Sequence, residues 1–410
     1  MRKTLCSAVL MTFCIFGNAQ TDDTLRVVNW NIEWFGSPSA GPSNDNQQEI
    51  NVLKILRFLN ADIYALSEIV DTLRLKRLTD SLGSNYGYRV AYFASAAASV
   101  NSPNYSSAQK LAFIYRKSVF TNISTRAMLN NGSDAYYNFA SGRFPFLFNA
   151  NVNKDGKKRN MSFILIHGKA GATTSDFNRR RLAAIELKDT LDNHFATRPM
   201  MLLGDYNDEL YTSIVPGYTN SSYQVIVQDS MRTNNNYYHS ITLPLGRSGQ
   251  ASTINYSNVI DHQIINKRMD SMYVAGSATV RRDVTEAVQD YLSQSTSDHF
   301  PVFSKFTVIP GDTSVMIVNP PPPPPPPIVF TGFKVWPNPF DRSLIFRSGK
   351  NLSNVSITMY NSIGAAVFQN YYGAVVTQQF NEIQLPYLPP GVYFLVIVSK
   401  EETHRIKLVK

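Results

Sequence analysis

The sequence predicts a mixed α/β sandwich followed by a second, smaller β-sandwich. Up to residue 310, apolar runs typical of strands alternate with amphipathic helical patterns and with hairpin-like strand pairs. A run of eight prolines at residues 320–327 then interrupts the chain, and a polyproline rod cannot belong to a core. Beyond it, residues 331–410 contain short alternating strands separated by turn residues, which is typical of a small β-sandwich.

The N-terminus has the layout of a secretory signal peptide. Residues 1–3 form a basic head, residues 5–16 are apolar but too short for a permanent membrane anchor, and residues 17–19 offer a small-residue cleavage site. A buried N-terminal helix is the alternative. Both cysteines, Cys6 and Cys14, lie inside this segment, so the mature chain is expected to contain no disulfide and no transmembrane segment.

The charge balance permits a polyanionic substrate without requiring one. The chain carries 39 basic and 30 acidic residues, for a formal net charge of +9. Residues 21–310 hold 29 of the basic and 25 of the acidic groups, a net +4. Two basic clusters, at residues 154–159 and 179–181, are more typical of solvated surface than of a binding site.

Periodicity places the elements of the larger unit. Apolar runs predict strands at residues 25–36, 62–68, 111–116, 144–152, 162–167, 201–205, 259–265, 271–280 and 300–308. Apolar side chains three and four positions apart predict helices at residues 49–59, 74–82 and 176–195. The small, polar residues 95–109 predict a loop, and the polar residues 153–158 predict a turn between two strands. In the C-terminal unit, strands are expected at residues 355–360, 392–398 and 404–409.

One stretch combines the features of a strand and a site. The apolar residues 201–203 end in Gly204, which permits a sharp exit from the strand, and Asp205 and Asn207 follow two positions apart. Such a loop can direct a carboxylate and a carboxamide into one pocket, where a hard cation or a phosphoryl oxygen finds partners. By itself, the pattern is equally typical of an ordinary turn.

Most of the predicted core strands end in a polar side chain that can bind metal or transfer a proton. These residues are Asn31, Glu68, His167, Asp205, Asn207, Asp261 and the pair Asp298-His299. A single such residue is usually a solvent-exposed side chain without a specific function. So many at strand ends favour one convergent site.

The motifs that contain these residues resemble a known superfamily. Asn-Trp-Asn-Ile, Ser-Glu-Ile, the strand ending in His167, Gly-Asp-Tyr-Asn, Ile-Asp-His and Ser-Asp-His-Phe-Pro-Val occur in the order of the endonuclease/exonuclease/phosphatase superfamily. Its members include deoxyribonuclease I, apurinic endonucleases, inositol-polyphosphate phosphatases and neutral sphingomyelinases. The resemblance covers residues 24–308 and implies a four-layer α/β sandwich with its site at one edge of the paired sheets.

The same resemblance implies a divalent metal held by Glu68 with help from Asn31 and Asp298. Mg²⁺ is the expected ion, with Ca²⁺ or Mn²⁺ as alternatives, because Mg²⁺ keeps water ligands and needs only one or two carboxylates besides substrate oxygen. Asp205 and Asn207 would orient the attacking water and bind the phosphoryl group.

The remaining roles implied by the resemblance concern two histidines and an arginine. His299 would be the general base or a phosphate-stabilising group, with its ring fixed by Asp261, and His167 would act on the leaving oxygen or a phosphate oxygen. Arg143 matches a phosphate-contacting position. One departure is that Gln109 stands where deoxyribonuclease I has an acid supporting its histidine; Gln109 is expected to be able to hydrogen-bond His167.

The other histidines have simpler interpretations. His194, His239 and His404 are expected at the surface. His262, next to Asp261 in a strand, is expected to point to the opposite face of the sheet.

The C-terminal unit resembles the type IX secretion sorting domain of Bacteroidetes over residues 333–410. The resemblance rests on Trp-Pro-Asn-Pro-Phe from Trp336, Tyr-Asn-Ser-Ile-Gly from Tyr360, Leu-Pro-Pro-Gly-Val-Tyr-Phe-Leu from Leu388, and the final Lys-Leu-Val-Lys. It implies translocation across the outer membrane by the type IX secretion machinery and then removal of the domain. A carbohydrate-binding β-module is the alternative.

These interpretations divide the chain into four parts and give one leading hypothesis. The parts are a signal peptide (1–19), a catalytic domain (20–310), a Pro-rich linker (311–330) and a sorting domain (331–410). The leading hypothesis is a monomeric, secreted or surface-attached, metal-dependent phosphodiesterase, an endonuclease that hydrolyses extracellular DNA or RNA by in-line water attack. Alternatives are a sphingomyelinase- or phosphatase-like hydrolase and a non-catalytic surface binding protein on the same fold.

Overall fold

A computed structural model describes residues 23–130, 132–228, 237–314, 332–336, 338–340, 342–376 and 380–410. The predicted signal peptide and the run of eight prolines lie outside the described residues. Among the described residues, no helix is both long and apolar enough to cross a membrane.

The larger unit contains the elements that the periodicity predicts, with several additions. In chain order they are β1 (Thr24–Phe35), α1 (Asp45–Leu59), β2 (Ile63–Ile69), α2 (Thr72–Leu82), β3 (Tyr86–Val90), β4 (Lys110–Arg116), β5 (Phe120–Ala127), α3 (Ser133–Asn138), β6 (Phe146–Lys154), β7 (Lys157–His167), α4 (Thr174–His194), β8 (Met200–Asp205), α5 (Gln224–Val227), β9 (Tyr238–Ser240), α6 (Leu243–Arg247), β10 (Asp261–Asn266), α7 (Lys267–Asp270), β11 (Thr279–Val280), α8 (Val284–Ala287) and β12 (Val302–Thr307).

Two six-stranded sheets form the inner layers of this unit. The first has the strand order β11-β12-β1-β2-β4-β3 and the second β5-β6-β7-β8-β10-β9. The pairs β1–β2 and β7–β8 are parallel, and the other described pairs in these two sheets are antiparallel. Helices α1 and α2 bury their apolar faces on the outside of the first sheet, and α4 contributes to the core built on the second. The result is the four-layer α/β sandwich that the resemblance implies.

Aromatic side chains fill much of the space between the sheets. Phe113 of the first sheet meets Phe148 of the second with ring centroids 5.0 Å apart, and Phe163 lies 6.4 Å beyond Phe148. All three rings are fully buried. Burying each ring contributes about 2 kcal/mol or more relative to exposure, so this cluster holds the two sheets face to face.

Capping explains why helices extend beyond their apolar patterns. Helix α1 begins at Asp45, four residues before the predicted start, because the side chain of Asn44 accepts a hydrogen bond from the Gln47 N–H. Helix α2 begins at Thr72 because Asp71 caps it in the same way. Cap residues lie outside the apolar periodicity, so that periodicity alone places the helix starts too late.

Several predicted elements are wrong in type or extent. The strand predicted at residues 271–280 is wrong except for β11, and α7 lies just before it. The turn predicted at residues 153–158 shrinks to Asp155 and Gly156, both in left-handed conformation, because β6 and β7 continue almost to each other. The cluster at residues 179–181 is not simply solvated, since Arg180 is fully buried and donates to the carbonyls of Lys169 and Gly171.

The C-terminal unit is the small β-sandwich that the sequence predicts. Its strands are β13 (Phe333–Trp336), β14 (Ser343–Ser348), β15 (Leu352–Asn361), β16 (Ala366–Val375), β17 (Phe380–Gln384), β18 (Val392–Val398) and β19 (Thr403–Val409). They form a three-stranded sheet, β13-β14-β17, and a four-stranded sheet, β16-β15-β18-β19. Apolar side chains from both sheets meet in one cluster, so this unit has its own core.

Polar contacts between the sheets fix the relation of β1 to β8 and β10. Asn29 Nδ2 donates to the Gly204 carbonyl at 3.3 Å, and Gln263 Nε2 donates to Asn29 Oδ1 at 2.9 Å. All three residues lie in the buried space between the sheets. Since buried polar groups hold a single geometry when their bonds are made, these contacts align the ends of the three strands.

We expect Gly204→Ala to destabilise the larger unit by about 2–4 kcal/mol. Gly204 has φ +131°, and an added Cβ would lie 2.1 Å from the Ile166 carbonyl oxygen. Chemical denaturation followed by tryptophan fluorescence measures the change. Gly132→Ala is the matched control, because its nearest heavy atom would be 3.9 Å away and its φ is −116°. Equal stability of the two variants would contradict the prediction.

Candidate active site

The stretch from Gly204 to Asn207 forms a sharp loop at the end of β8. Asn207 has a left-handed backbone (φ +52°), and its N–H donates to Asp205 Oδ1 at 2.8 Å. The Asn207 side chain turns toward the end of β7 and donates to the Gly168 carbonyl at 3.3 Å. The two side chains therefore belong to one loop, with the Asp205 carboxylate fully buried beneath it.

A histidine and an aspartate form a buried pair next to Asp205. Asp261 begins β10 directly opposite Asp205 in the β8–β10 ladder, and its Oδ2 lies 2.7 Å from His299 Nδ1. The Ser252 hydroxyl donates to the same Oδ2 at 2.8 Å. The bond between Asp261 and His299 places the proton of a neutral His299 ring on Nδ1, so that Nε2 has no proton and can interact with another group.

The backbone of His299 is held as firmly as its ring. Its N–H donates to Ser297 Oγ at 3.0 Å, and its carbonyl accepts bonds from Trp30 Nε1 at 2.9 Å and from the Tyr291 hydroxyl. Ser297 in turn donates to the Asn31 carbonyl at 2.7 Å. The loop that carries His299 is thus fixed to β1.

The combined effect of burial and neighbouring charges raises the pKa values of both His299 and Asp205. Burial disfavours the charged ring of His299, but the carboxylates of Asp261, Asp205 and Asp298 outweigh burial and hold its pKa well above the usual value. Burial, reinforced by the nearby Asp261 carboxylate, raises the pKa of Asp205 to about 6. The group therefore combines an imidazolium with a carboxylate that takes up a proton near neutral pH.

Asn31 joins Asp205 to Glu68. Its Nδ2 donates to Asp205 Oδ2 and to Glu68 Oε1, each at 3.0 Å. The other Glu68 oxygen accepts from the Trp34 N–H at 3.0 Å. Glu68 itself has φ +65°, and burial raises the pKa of its carboxyl group. The structure thus brings these predicted residues together at one edge of the sandwich.

Glu33 belongs to the same group and was missed by the sequence reasoning. Burial, and then the nearby Asp298 carboxylate, raise its pKa to about 7, and Glu68 adds a further repulsion. Its Oε2 is buried without a hydrogen-bond partner among the described residues. The signal was available, because Glu33 lies two positions after Asn31 in the same strand, but an acid in a strand is usually a solvent-facing residue.

His167 lies between the carboxylates of Glu68 and Asp205. Its Nε2 is 3.6 Å from Glu68 Oε1 and 3.5 Å from Asp205 Oδ2, and its buried Nδ1 has no partner among the described residues. Burial, with the positive charges of Arg143 and His299, holds its pKa well below the usual value. The ring is therefore neutral in the metal-free protein.

Arg143 is hydrogen-bonded to the end of β7 and to the loop that follows it. Its guanidinium donates to the His167 carbonyl at 3.0 Å, to the Gly168 carbonyl at 2.8 Å and to Gln109 Oε1 at 2.8 Å. Gln109 was expected to be able to hydrogen-bond His167, but in this structure its Oε1 accepts from Arg143 and His167 Nδ1 has no partner among the described residues. Arg143 is almost completely buried, and three of its five N–H groups are used in these bonds. Its contact with phosphate stays a prediction.

The remaining histidines lie outside this group. The buried His262 ring bonds Thr242 Oγ1 at 3.0 Å and the Asp208 carbonyl at 3.1 Å, and burial lowers its pKa to about 3. Since strand neighbours alternate faces, this placement agrees with the expected orientation. His239 is not simply a surface residue, because it is partly buried against Asp270 at 2.6 Å. His404 lies in the sorting domain, 2.8 Å from Glu402.

The α/β sandwich and the polar group at its edge are typical of a family of nucleases and phosphatases. The chain belongs to the endonuclease/exonuclease/phosphatase family, whose family model matches residues 28–299. A second family model, the secretion system C-terminal sorting domain, matches residues 334–410. No curated protein matches the chain. The chain thus joins a catalytic family to a tail for type IX secretion.

Several solved structures align with much of the chain at low sequence identity. The endonuclease/exonuclease/phosphatase from Beutenbergia cavernae is 14% identical, with 94% of this chain and 100% of that chain covered and a TM-score of 0.47. The catalytic domain of human Nocturnin with bound sulfate is 16% identical, with 69% and 93% covered and a TM-score of 0.45. An endonuclease/exonuclease/phosphatase from Bacteroides vulgatus is 14% identical, with 70% and 99% covered and a TM-score of 0.47.

The residues present fit the divalent metal that the family generally uses. The carboxylates of Asp298 and Glu68 lie near enough to Glu33 to raise its pKa, and one buried oxygen of Glu33 has no hydrogen-bond partner among the described residues. Among the described residues, the group whose three ligand atoms lie within 4.8 Å of one another is Asp205, Asp261 and His299. In that second group, however, the Asp261–His299 bond already uses a ligand atom of each residue. The first group offers only carboxylate oxygens, which are the ligands that a hard cation such as Mg²⁺ prefers.

We expect Mn²⁺ and Mg²⁺ to raise the melting temperature of the protein, and Glu68→Gln to weaken their binding about tenfold or more. Replacing the carboxylate removes the charge that attracts the cation. Titration calorimetry of the full chain measures affinity, and Glu401→Gln in the sorting domain is the control. Unchanged affinity in Glu68→Gln would contradict the assignment, while a loss in Glu33→Gln would add Glu33 to the ligands.

We also expect a pH-dependent contribution of the Asp261–His299 pair to stability. The pKa of His299 is higher in the folded protein than in the unfolded chain, where a histidine has a pKa of about 6.5. The contribution of the pair to stability is therefore complete below about pH 6.5 and is lost as pH rises through the folded-state pKa. In EDTA, Asp261→Asn should therefore cost more stability at about pH 7 than at about pH 9. The same substitution in a His299→Gln background is the control, and an equal cost at both pH values would refute the account.

Proposed function

We propose that the protein is a secreted, metal-dependent phosphodiesterase that hydrolyses extracellular nucleic acid by in-line attack of water. One observation carries the proposal: a buried Asp261–His299 pair faces Asp205 across the β8–β10 ladder, beside the carboxylates of Glu68 and Glu33. Phosphodiester hydrolysis needs a positioned water, a proton acceptor and positive charge near the phosphate. The group contains a residue for each of these tasks.

The pKa directions divide the roles between Asp205 and His299. With its pKa at about 6, Asp205 is the better acceptor for the proton of the attacking water, which Asn207 helps to orient. His299, whose pKa is held well above the usual value, carries the positive charge that stabilises the phosphoryl oxygens through Nε2. Of the two roles expected for His299, the phosphate-stabilising one is therefore favoured.

The opposite side of the phosphate is assigned to His167 and Arg143. The neutral His167 ring can donate one N–H to a phosphate oxygen or to the leaving oxygen. Arg143 keeps that ring in place through the His167 carbonyl, and its two remaining N–H groups are available to an anion. Mg²⁺ bound by Glu68, Asn31 and Asp298, with Glu33 as a further ligand, would neutralise charge on the phosphate and leaving oxygen.

Two further parts of the proposal concern substrate and destination. A net charge of +4 on residues 21–310 is compatible with a nucleic-acid substrate, but a charge this small does not require one. The sorting tail supports export by the type IX machinery, with the mature protein either released or attached to the cell surface. The intact group of catalytic residues argues against a non-catalytic binding protein.

We expect the purified full chain to cleave DNA or RNA with Mg²⁺ or Mn²⁺ and to be inactive in EDTA. Because His299 supplies the charge at the phosphate, His299→Gln should lower kcat by a factor on the order of 10²–10⁴. Gel assays with plasmid and RNA measure cleavage, and release of phosphocholine or phosphate tests sphingomyelin and monoester substrates. Activity on only a lipid or a monoester would replace the nucleic-acid proposal with the corresponding alternative.

Matched variants separate lost chemistry from lost folding. His404→Gln changes a histidine of the sorting domain and should keep wild-type activity. Full nucleic-acid cleavage by both Glu68→Gln and His299→Gln would refute the assigned site, and no hydrolysis of any substrate with any metal would leave a binding function.

A further inference from the structure

A strongly exposed tyrosine stands on the loop next to the Asp261–His299 pair. Tyr256 is 69% exposed, the largest fraction among the large apolar and aromatic side chains described in the catalytic domain. A single exposed ring is normal on a protein surface and carries no conclusion by itself. What distinguishes Tyr256 is the way its loop is attached to the catalytic residues.

The loop at residues 252–258 closes on Ser252. The Ser252 N–H donates to the Asn258 carbonyl at 3.0 Å, which brings the two ends of the loop together. The Ser252 hydroxyl donates to Asp261 Oδ2, the oxygen that also meets His299. The same hydroxyl accepts the Asp261 N–H at 3.2 Å. One residue therefore forms the base of the loop and holds the catalytic aspartate.

The first half of the loop pairs with the segment that carries His299. The Ile254 N–H donates to the Asp298 carbonyl at 2.8 Å, and the Phe300 N–H donates to the Ser252 carbonyl at 2.7 Å. Thr253 Oγ1 then accepts the Tyr256 N–H at 3.3 Å and donates to the Tyr256 carbonyl at 3.1 Å. The backbone of Tyr256 is thus fixed relative to His299, although its ring is left in solvent.

A positively charged side chain, that of Arg282, lies at the base of the same loop. Arg282 Nη1 donates to the Ala251 carbonyl at 3.3 Å, and its guanidinium carbon is 4.4 Å from the centre of the Phe300 ring. Arg282 as a whole is exposed. An exposed tyrosine and an exposed arginine therefore lie on and next to a loop that is bonded to the segment carrying His299.

We propose that Tyr256 stacks on an unpaired base next to the scissile phosphate and that Arg282 contacts a flanking phosphate, so that single-stranded nucleic acid is the preferred substrate. This inference rests on the proposed function of the site. Aromatic rings bind the π-face of any base, and a basic group follows the backbone, which is how proteins bind single strands without sequence preference. A duplex hides its bases from such a ring.

The test uses the full chain with Mn²⁺ and three forms of one oligonucleotide. These are the single strand, the strand annealed to its complement, and the strand with abasic sites around the cleaved bond. Wild type should prefer the single strand to the duplex. Tyr256→Ala should raise KM for the single strand about tenfold, in the range expected for losing one stacked base, and leave KM for the abasic strand unchanged.

Further variants distinguish stacking from a structural role of the loop. Tyr256→Phe keeps the ring and should keep the wild-type KM. Tyr387→Ala removes a tyrosine that is 78% exposed in the sorting domain and should change nothing. Arg282→Gln should reduce the slope of log affinity against log salt by about 0.7, the value for one lost phosphate contact on a single strand.

The outcomes separate the two proposals. If wild type hydrolyses only phosphoesters without bases, the nucleic-acid substrate fails, and the role of Tyr256 fails with it. If the single strand is cleaved but Tyr256→Ala leaves KM unchanged, the stacking role is overturned while the proposed function stands. An equal loss on intact and abasic strands would also overturn it, because the loop would then be acting only on the position of His299.

Discussion

The two hydrogen bonds from the Asn31 side chain are the interactions on which the rest of the site depends. Asn31 belongs to the first sheet, and its amide reaches Glu68 of the same sheet and Asp205 of the second. Asn29, two positions earlier on the same face, reaches Gly204. Neither sheet alone contains all the residues of the candidate site. The geometry of the site therefore depends on how the two sheets pack against each other. The aromatic core between them therefore has a functional as well as a structural role.

The second constraint is the excess of negative charge around one positive ring. The pKa of His299 is raised by the carboxylates of Asp261, Asp205 and Asp298. The pKa values of Glu33, Glu68 and Asp205 are in turn influenced by charged neighbours in the same group. Burying several carboxylates without compensation is costly. Two kinds of compensation are visible, a raised pKa in some carboxyl groups and the charged imidazole. A divalent cation would supply a third and would lower the pKa values of the carboxyl groups that bind it.

Sequence reasoning identified which residues form the site better than it identified how they contact each other. Strand periodicity and polar strand ends predicted the fold and brought together Asn31, Glu68, His167 and Asp205. Gln109 could not be placed in the same way, because its partner depends on whether Arg143 or His167 is nearer after packing. Glu33 was missed because an irregular pairing, with register shifts after Asn31, turns an ordinary strand position toward the site. Periodicity carries no information about such local departures.

Several residues at or next to the candidate site also have an unusual backbone conformation. Glu33, Trp34, Glu68 and Asn207 all have positive φ, a conformation that residues with side chains rarely adopt. Each costs on the order of 1–3 kcal/mol and persists only where the surroundings fix it. Here the surroundings are the two sheets and their buried polar bonds. Substituting glycine at these positions would relieve the strain but would also remove the Glu33, Glu68 and Asn207 side chains of the candidate site, so that stability and the proposed activity are in conflict at this edge.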